Sequence, residues 1–431
     1  MLAARVTGLL LFWGIWLLVP LMVDGVIALV QLLGISLGQR AHRRRVTAGL
    51  QRFPLVTVVI PVHNNARTLG RALRSVAGQT YPAEALEIIC VDNGSSDNCF
   101  EVFCHCQEQY PGLRFAWISV ERPGKAAALN AGIHASTGAY IMAVDADVHL
   151  APDAVYEMVR HFESRPRLAA ATGAIVVAPV KRETSRFMGL LHACEAFEYL
   201  SAFRVGRRHQ SLRNTLYTLS GAFSAFRRDI LLENSYLYDS QTVSEDTKIT
   251  FDLRKRVKTR RPRATIECID TAVAFVDPIP SLAALYSQRL RWQRGQIEVT
   301  ALHSDQQTGI TGPFRDVSGL TLLTDHTLAF PRLVWTFLLP FLFLLGYSPV
   351  VVASAVLAMY VAYAVIEGLF YLSAYRHVGT TERERLRRTA WVILLMPLFR
   401  FVVYWFRLAG ILHAVAEPQR WHTAPLARNR E

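Results

Sequence analysis

Two carboxylates, Asp145 and Asp147, stand where the apolar run Ile-Met-Ala-Val at 141–144 ends abruptly. An apolar run closed by acids is how a buried strand reads when it reaches the edge of a parallel sheet. Strand periodicity then places both carboxylates on one side of the chain and turns the small Ala146 away. Two hard oxygen ligands at a sheet edge suit Mg2+ or Mn2+, which keep several waters and draw further ligands from a diphosphate. In outline this is a nucleotide-sugar site. An isolated Asp-x-Asp triplet is otherwise a solvated turn, and the surrounding chain must decide.

The middle of the chain supplies the scaffold those carboxylates need. Residues 56–60 form an apolar run ended by Pro61, residues 66–77 have helical spacing, and 87–91 make a second buried strand ended by Asp92, Asn93 and Gly94. A helix over 97–109, a strand over 115–120, a helix over 125–135 and a strand over 140–144 continue the series. Strands separated by helices of this length predict right-handed βαβ units and a parallel sheet, whose ligands sit at the carboxyl ends of the strands. Those ends are polar: Pro61-Val62-His63-Asn64-Asn65, then Asp92-Asn93-Gly94-Ser95-Ser96-Asp97, then Asp145-Ala146-Asp147.

The 431 residues have room for two domains, and 52% hydrophobic residues is high for a wholly soluble chain. The apolar residues concentrate in 6–37 and 330–416. A net charge of +13 fits nucleic acid or an anionic membrane surface. The membrane is the better match, because Arg40, Arg43, Arg44 and Arg45 follow the first apolar run, and Arg383, Arg385, Arg387 and Arg388 lie between two later ones. No helix-turn-helix or ribonucleoprotein-type motif supports nucleic acid. Six cysteines in a chain this long do not make a disulfide framework, and the thiols fit a reducing compartment. Cys104, His105 and Cys106 are too closely spaced to close a tetrahedral zinc site alone.

Residues 6–37 are long enough for a tilted transmembrane helix, and the arginines behind it place the middle of the protein in the cytoplasm. Residues 329–346 and 349–375 are two further spans joined as a hairpin, followed by an Arg-rich loop over 376–388. Residues 391–415 form a fourth apolar segment interrupted by Pro397, Arg400 and Arg407, so a kinked or re-entrant segment competes with a span, and Arg420, Arg428 and Arg430 favour a cytoplasmic tail. Glu367, an acid inside a span, implies a lumen or a buried pair. The expected organisation is a membrane helix with a basic linker over 1–50, a cytoplasmic catalytic unit over 51–300 ending in an interfacial helix, and interfacial and membrane helices over 301–431.

Six segments carry a resemblance: Val-Val-Ile-Pro-Val-His-Asn at 58–64, Val-Asp-Asn-Gly-Ser-Ser-Asp at 91–97, Gly-Lys-Ala-Ala-Ala-Leu-Asn at 124–130, Asp145 with Asp147, Ser-Glu-Asp at 244–246, and Gln-Arg-Leu-Arg-Trp at 288–292. In this order they resemble the membrane-embedded family-2 glycosyltransferases, which include the cellulose, chitin, hyaluronan and poly-N-acetylglucosamine synthases. The resemblance covers residues 56–296 and extends to the flanking helices. It implies a GT-A fold, a Rossmann-like mixed sheet with helices on both faces, with transmembrane helices at both ends.

Carried onto this chain, the resemblance assigns Pro61, His63, Asn65, Asp92, Lys125, Asp145, Gln288 and Arg291 to the nucleotide sugar. Asp92 would accept the uracil ring N–H, or else serve as a turn residue capping the next helix. Many relatives carry Glu at the position of Asn65. Asp147 is the stronger candidate for direct metal ligation, with Asp145 sharing the metal or the ribose. Inverting transfer needs a base for the acceptor hydroxyl, and Asp246 beside Glu245 takes that role, while Ser244 followed by acids is equally a helix start. Residues 281–294 read as an amphipathic helix that sets Gln288, Arg291 and Trp292 near one face, where arginine can fork a phosphate and an indole can stack on a sugar. Ser220 and Gly221 resemble a segment lining the acceptor path, shared with Trp292. The basic tract 204–213 lies under the membrane or is a solvated face. The expected reaction is inverting transfer from a UDP-sugar to a growing β-linked polysaccharide at the cytoplasmic membrane face, with Mg2+ or Mn2+; the alternative is transfer of one sugar to a membrane lipid. Membrane lipids and accessory membrane subunits are the further partners expected.

Overall fold

The computed structural model describes residues 49–121, 124–180, 185–232, 238–239, 242, 244–304, 342–344 and 346–416, with scattered positions between 22 and 35. The strands are β1 (Val56–Val62), β2 (Leu86–Asp92), β3 (Arg114–Ser119), β4 (Tyr140–Val144), β5 (His149–Leu150), β6 (Leu168–Val177), β7 (Phe223–Arg227) and β8 (Thr265–Val276). Around them lie α1 (Ala66–Ala77), α2 (Cys99–Gln109), α3 (Lys125–Ala135), α4 (Ala154–Ser164), α5 (Arg186–Tyr199), α6 (Arg207–Leu212), α7 (Arg228–Leu232), α8 (Glu245–Arg260) and α9 (Leu282–Ser304). Three more helices follow: α10 (Pro349–His377), α11 (Thr380–Arg388) and α12 (Val392–Ala416).

One eight-stranded sheet runs in the order β3-β2-β1-β4-β7-β6-β8-β5. Strands β1 to β4 pair in parallel, as the helix–strand alternation predicts. The all-parallel expectation stops there: β7 runs antiparallel to both β4 and β6, and β5 antiparallel to β8, so the sheet is mixed, as the resemblance implies. The reason is the excursion between β6 and β7. The chain leaves the sheet through α5 and α6 and re-enters beside the carboxyl end of β4, with Phe223 opposite Val144.

Strand β1 shows why these residues make a central strand. Its alternate residues feed opposite cores: Val56, Val58, Ile60 and Val62 pack with Leu69, Leu73 and Phe162, whereas Val59 packs with Ile89, Leu129, Ile133 and Leu253. Pro61 does not end the strand, which continues to Val62. The β4 ladder covers only Val56 to Val59, so the missing N–H of Pro61 falls where just one neighbour remains. Helix α2 begins at Cys99, not at Asp97, because the Asp97 carboxylate is spent accepting the backbone N–H of Ala66 at 2.9 Å and of Cys99 at 3.3 Å.

Helices α10 and α12 are long and apolar enough to cross a membrane. Large apolar side chains stand exposed along both, among them Val350, Leu357 and Val365 on one and Leu394, Leu398 and Leu412 on the other. Helix α12 continues unbroken through Pro397, so the fourth segment is one helix and not a re-entrant turn. Glu367 is 2% exposed and pairs with Arg400, which makes it one half of a buried pair joining α10 to α12. The expected loop 376–388 contains helix α11, held by an Arg385 hydrogen bond to the Val177 carbonyl of β6 at 3.1 Å and by an ion pair of Glu382 with Arg204. Arg204 thereby departs from the solvated-face reading of the basic tract, as do Arg208, paired with Asp270, and Arg207, which is buried over the Phe203 ring. A third core of Ile35, Leu191, Phe197, Leu285, Met396, Phe399 and Val403 joins α5, α9 and α12. Most of the expected span 6–37, the cluster Arg40, Arg43, Arg44 and Arg45, most of the span 329–346, and Arg420, Arg428 and Arg430 lie outside the described residues.

Candidate active site

The carboxyl ends of β1 and β2 lie side by side, with Val62 opposite Asp92. Their loops are zipped together. Asn64 N–H donates to Ser95 Oγ at 3.1 Å, and Asn64 Oδ1 accepts the Ser96 N–H at 2.9 Å. The exposed His63 lies with its Nδ1 2.9 Å from the Asn93 carbonyl, and its N–H donates to Asn65 Oδ1 at 3.1 Å. Asp92 Oδ1 accepts the Ser95 N–H at 3.0 Å, so one carboxylate oxygen does work in the turn while the side chain stays half-buried at the rim. Pro61 is buried within the sheet. Asn93 Oδ1 accepts the Gly124 N–H at 2.8 Å, which ties this rim to the start of α3 and so places Lys125.

The segment with Asp145 and Asp147 is a turn and not, as the strand periodicity suggests, the continuation of β4. The Val148 N–H donates to the Asp145 carbonyl at 3.0 Å and closes it. Ala146 and Val148 are buried, Asp145 is half-buried and Asp147 exposed, so the two carboxylates do share the outer side. Lys125 Nζ lies 2.7 Å from Asp145 Oδ1 and 3.2 Å from Glu245 Oε1. Burial pushes the Asp145 carboxyl up to about 6 against the pull of Lys125, and the Asp147 and Glu245 carboxylates add to the rise. Burial alone would lower the Lys125 ammonium, but Asp145 and Glu245 hold it above the ordinary lysine value.

Asp246 lies at the start of α8. Its Oδ2 accepts the Gly221 N–H at 3.1 Å and its Oδ1 the Thr247 N–H at 2.7 Å. Burial and the Glu245 charge raise its pKa, while Lys125 and the two backbone N–H groups oppose the rise. The segment holding Ser220 and Gly221 is pinned along its length: Leu219 N–H donates to Thr250 Oγ1 at 2.9 Å, and Ser220 N–H to the buried Thr172 Oγ1 at 3.1 Å. Asp145 N–H donates to the Ala222 carbonyl at 3.3 Å. A Cβ on Gly221 would sit 3.1 Å from Lys125 Nζ and 3.5 Å from Asp246 Oδ2, which shows how tightly Lys125, Asp145, Gly221, Glu245 and Asp246 converge.

Helix α9 closes the site from the side. Gly295 abuts Ser244, since a Cβ there would fall 1.9 Å from Ser244 Oγ. Of Gln288, Arg291 and Trp292, one to two turns earlier, Gln288 and Trp292 are half-buried and Arg291 is exposed. Gln288 Oε1 accepts from its neighbour Arg289 at 2.8 Å. Trp292 packs beside Phe203, with ring centroids 5.6 Å apart, and beneath the Arg289 guanidinium at 4.3 Å. Sequence reasoning missed Arg289, Gly295 and Glu198. The i, i+3 spacing of Arg289 and Trp292 on a helix was the available signal for the first.

Asp145 and Asp147 offer two hard oxygen donors on one turn, and among the described residues no cluster of three or more His, Cys, Asp or Glu side chains forms a metal cage. A two-carboxylate set fits an octahedral divalent ion that retains waters and takes phosphate oxygens, and not a closed structural site.

A mixed sheet in this order, with polar loops at the carboxyl ends of β1, β2 and β4 and a half-buried carboxylate at the start of α8, defines a GT-A-type fold. Residues 57–234 match the family described as Glycosyl transferase family 2. Poly-beta-1,6-N-acetyl-D-glucosamine synthase of Staphylococcus epidermidis is 30% identical over 252 residues, 58% of this chain and 56% of that protein. The same-named protein of Staphylococcus aureus (strain COL) is 30% identical over 245 residues, 57% of this chain and 55% of that one. The chain thus spans little more than half the length of the curated relatives it matches. Among solved structures, a mannosyltransferase from Pyrobaculum calidifontis in complex with GDP-Man and Mn2+ aligns with a TM-score of 0.53 at 17% identity, covering 92% of this chain and 99% of that one; the likeness is one of fold.

Proposed function

We propose that the protein is an inverting, metal-dependent glycosyltransferase that draws on a UDP-sugar at the cytoplasmic face of a membrane and extends a β-linked polysaccharide. The observation that carries this reading is the Lys125 bridge, which ties the rim carboxylate Asp145 to Glu245 beside Asp246. One flank of that cluster suits a nucleotide diphosphate and the other an incoming hydroxyl. Inverting transfer needs both at once, on opposite sides of the anomeric carbon.

On the donor side, Asp92 and the zipped loops of β1 and β2 receive the nucleoside, and Arg291, exposed on α9, offers a guanidinium fork to phosphate. Mg2+ or Mn2+ held by Asp147 and Asp145 would supply positive charge to the departing diphosphate. On the acceptor side, Asp246 takes the hydroxyl proton, a task favoured by its raised pKa, while Gly221 N–H holds its carboxylate in place. Trp292 provides an aromatic surface for the acceptor sugar. Helices α10 and α12 cross the membrane and anchor the domain. The names of the 30% identical relatives put UDP-N-acetylglucosamine first among donors to screen.

The test is UDP release by detergent-purified protein with Mn2+ and a panel of UDP-sugars, followed by sizing of radiolabelled product. Polymer ladders are expected. Release of no UDP from any donor would overturn the reading, and label confined to a lipid extract one sugar long would replace polymer synthesis by single transfer.

A further inference from the structure

We propose that Arg289, clamped by Glu198, is a positioning residue that holds Trp292 as the floor under the acceptor saccharide; this rests on the glycosyltransferase reading above. Arg289 is 3% exposed, an unusual place for a guanidinium on a surface helix. Its Nη2 lies 2.5 Å from Glu198 Oε2 on α5, its Nη1 donates to Gln288 Oε1 at 2.8 Å, and its Cζ stands 4.3 Å from the Trp292 ring centroid. One residue therefore joins α5 to two of the three signature side chains.

The opposite wall comes from an irregular turn. Directly after α5 the backbone widens into the π-helical stretch Leu200–Gly206, which carries Phe203 edge-on to Trp292. Such widened turns cost hydrogen-bond quality and recur at functional sites. Tyr199, immediately before the widened turn, lies 6.2 Å from Trp292, so the indole is fenced by two aromatic rings and one cation. A tryptophan needed only for packing does not require a buried charge over its face. A tryptophan that must present its other side to a sugar gains from one, because the guanidinium fixes the ring and Glu198 fixes the guanidinium.

Three full-length variants in detergent test this: Arg289→Lys, Glu198→Gln, and Arg289→Gln with Glu198→Gln, the last removing both charges of the pair. The probe is a β-linked N-acetylglucosamine tetrasaccharide, read by its transfer kinetics and by its quenching of tryptophan fluorescence with Trp292→Phe as the reference. Acceptor KM is expected to rise about 10-fold or more in all three, and by more than any change in UDP release without acceptor. Recovery of the parent KM in the double variant would reduce the pair to a structural ion pair and overturn the inference. Parent protein that releases no UDP yet binds the tetrasaccharide in an Arg289-dependent way would sink the glycosyltransferase reading and keep Arg289 only as the residue that positions Trp292 under a bound saccharide. Variants that bind as tightly as the parent, or a parent that binds none, overturn it.

Discussion

Asp145, Glu245 and Asp246 would repel one another strongly if they shared a rim without a cation, and Lys125 is the side chain that makes their convergence tolerable. On the proposed reading, Asp246 serves the acceptor side of that arrangement. Its replacement by Asn keeps one acceptor oxygen for one of the two backbone N–H groups and removes the proton acceptor, so turnover is expected to fall by about 10²- to 10⁴-fold with a smaller change in donor affinity. Stopped-turnover UDP release beside equilibrium donor binding separates the two. Asp145 makes a different prediction, because its carboxyl titrates at about 6 and only the ionised form can ligate. Apparent Mn2+ affinity is therefore expected to hold above that pH and to decline about tenfold per unit below it, as a proton must leave for each ion bound. Paramagnetic resonance of free Mn2+ between pH 5 and 7.5 measures this, and a flat profile would remove Asp145 from the ligand set.

Two contacts between elements set the geometry around those residues. At the first, Gly295 of α9 meets Ser244 at the start of α8, with no room for a methyl group. Gly295→Ala is expected to cost about 1–3 kcal/mol and to displace Asp246 enough to lower kcat, and adding Ser244→Gly should restore part of both. Thermal melts and kinetics on the single and paired variants decide it. The second is the Glu367–Arg400 pair between α10 and α12. Removing one partner, as in Glu367→Leu, takes the buried carboxylate away from the half-buried Arg400 and is expected to destabilise by about 1–3 kcal/mol. Replacing both by Leu should cost far less, as denaturation in detergent would show.

For the whole molecule, the eight-stranded sheet and the apolar helices are not loosely tethered. Helix α11 hydrogen-bonds to Val177 at the end of β6, Arg204 pairs with Glu382, and the third core binds α5 and α9 to α12. A chain built this way is expected to remain in the membrane fraction through alkaline carbonate extraction. Recovery of the intact chain in the supernatant would contradict the membrane role of α10 and α12.

Strands β1 to β4, their helices and the polar loops at their ends were legible from the residues alone, because periods of 2 and 3.6 are local properties that burial imprints on neighbouring side chains. Two apolar helices were legible for the same reason. What no local pattern contains is the partnership of distant segments: the antiparallel return of β7 beside β4, Lys125 between Asp145 and Glu245, Gly221 on Asp246, Gly295 against Ser244, Arg289 between Glu198 and Trp292. Those pairings are decided when helices and strands far apart in the chain compete to fill the same space. Tertiary packing alone made one cluster out of residues whose types the sequence had already supplied.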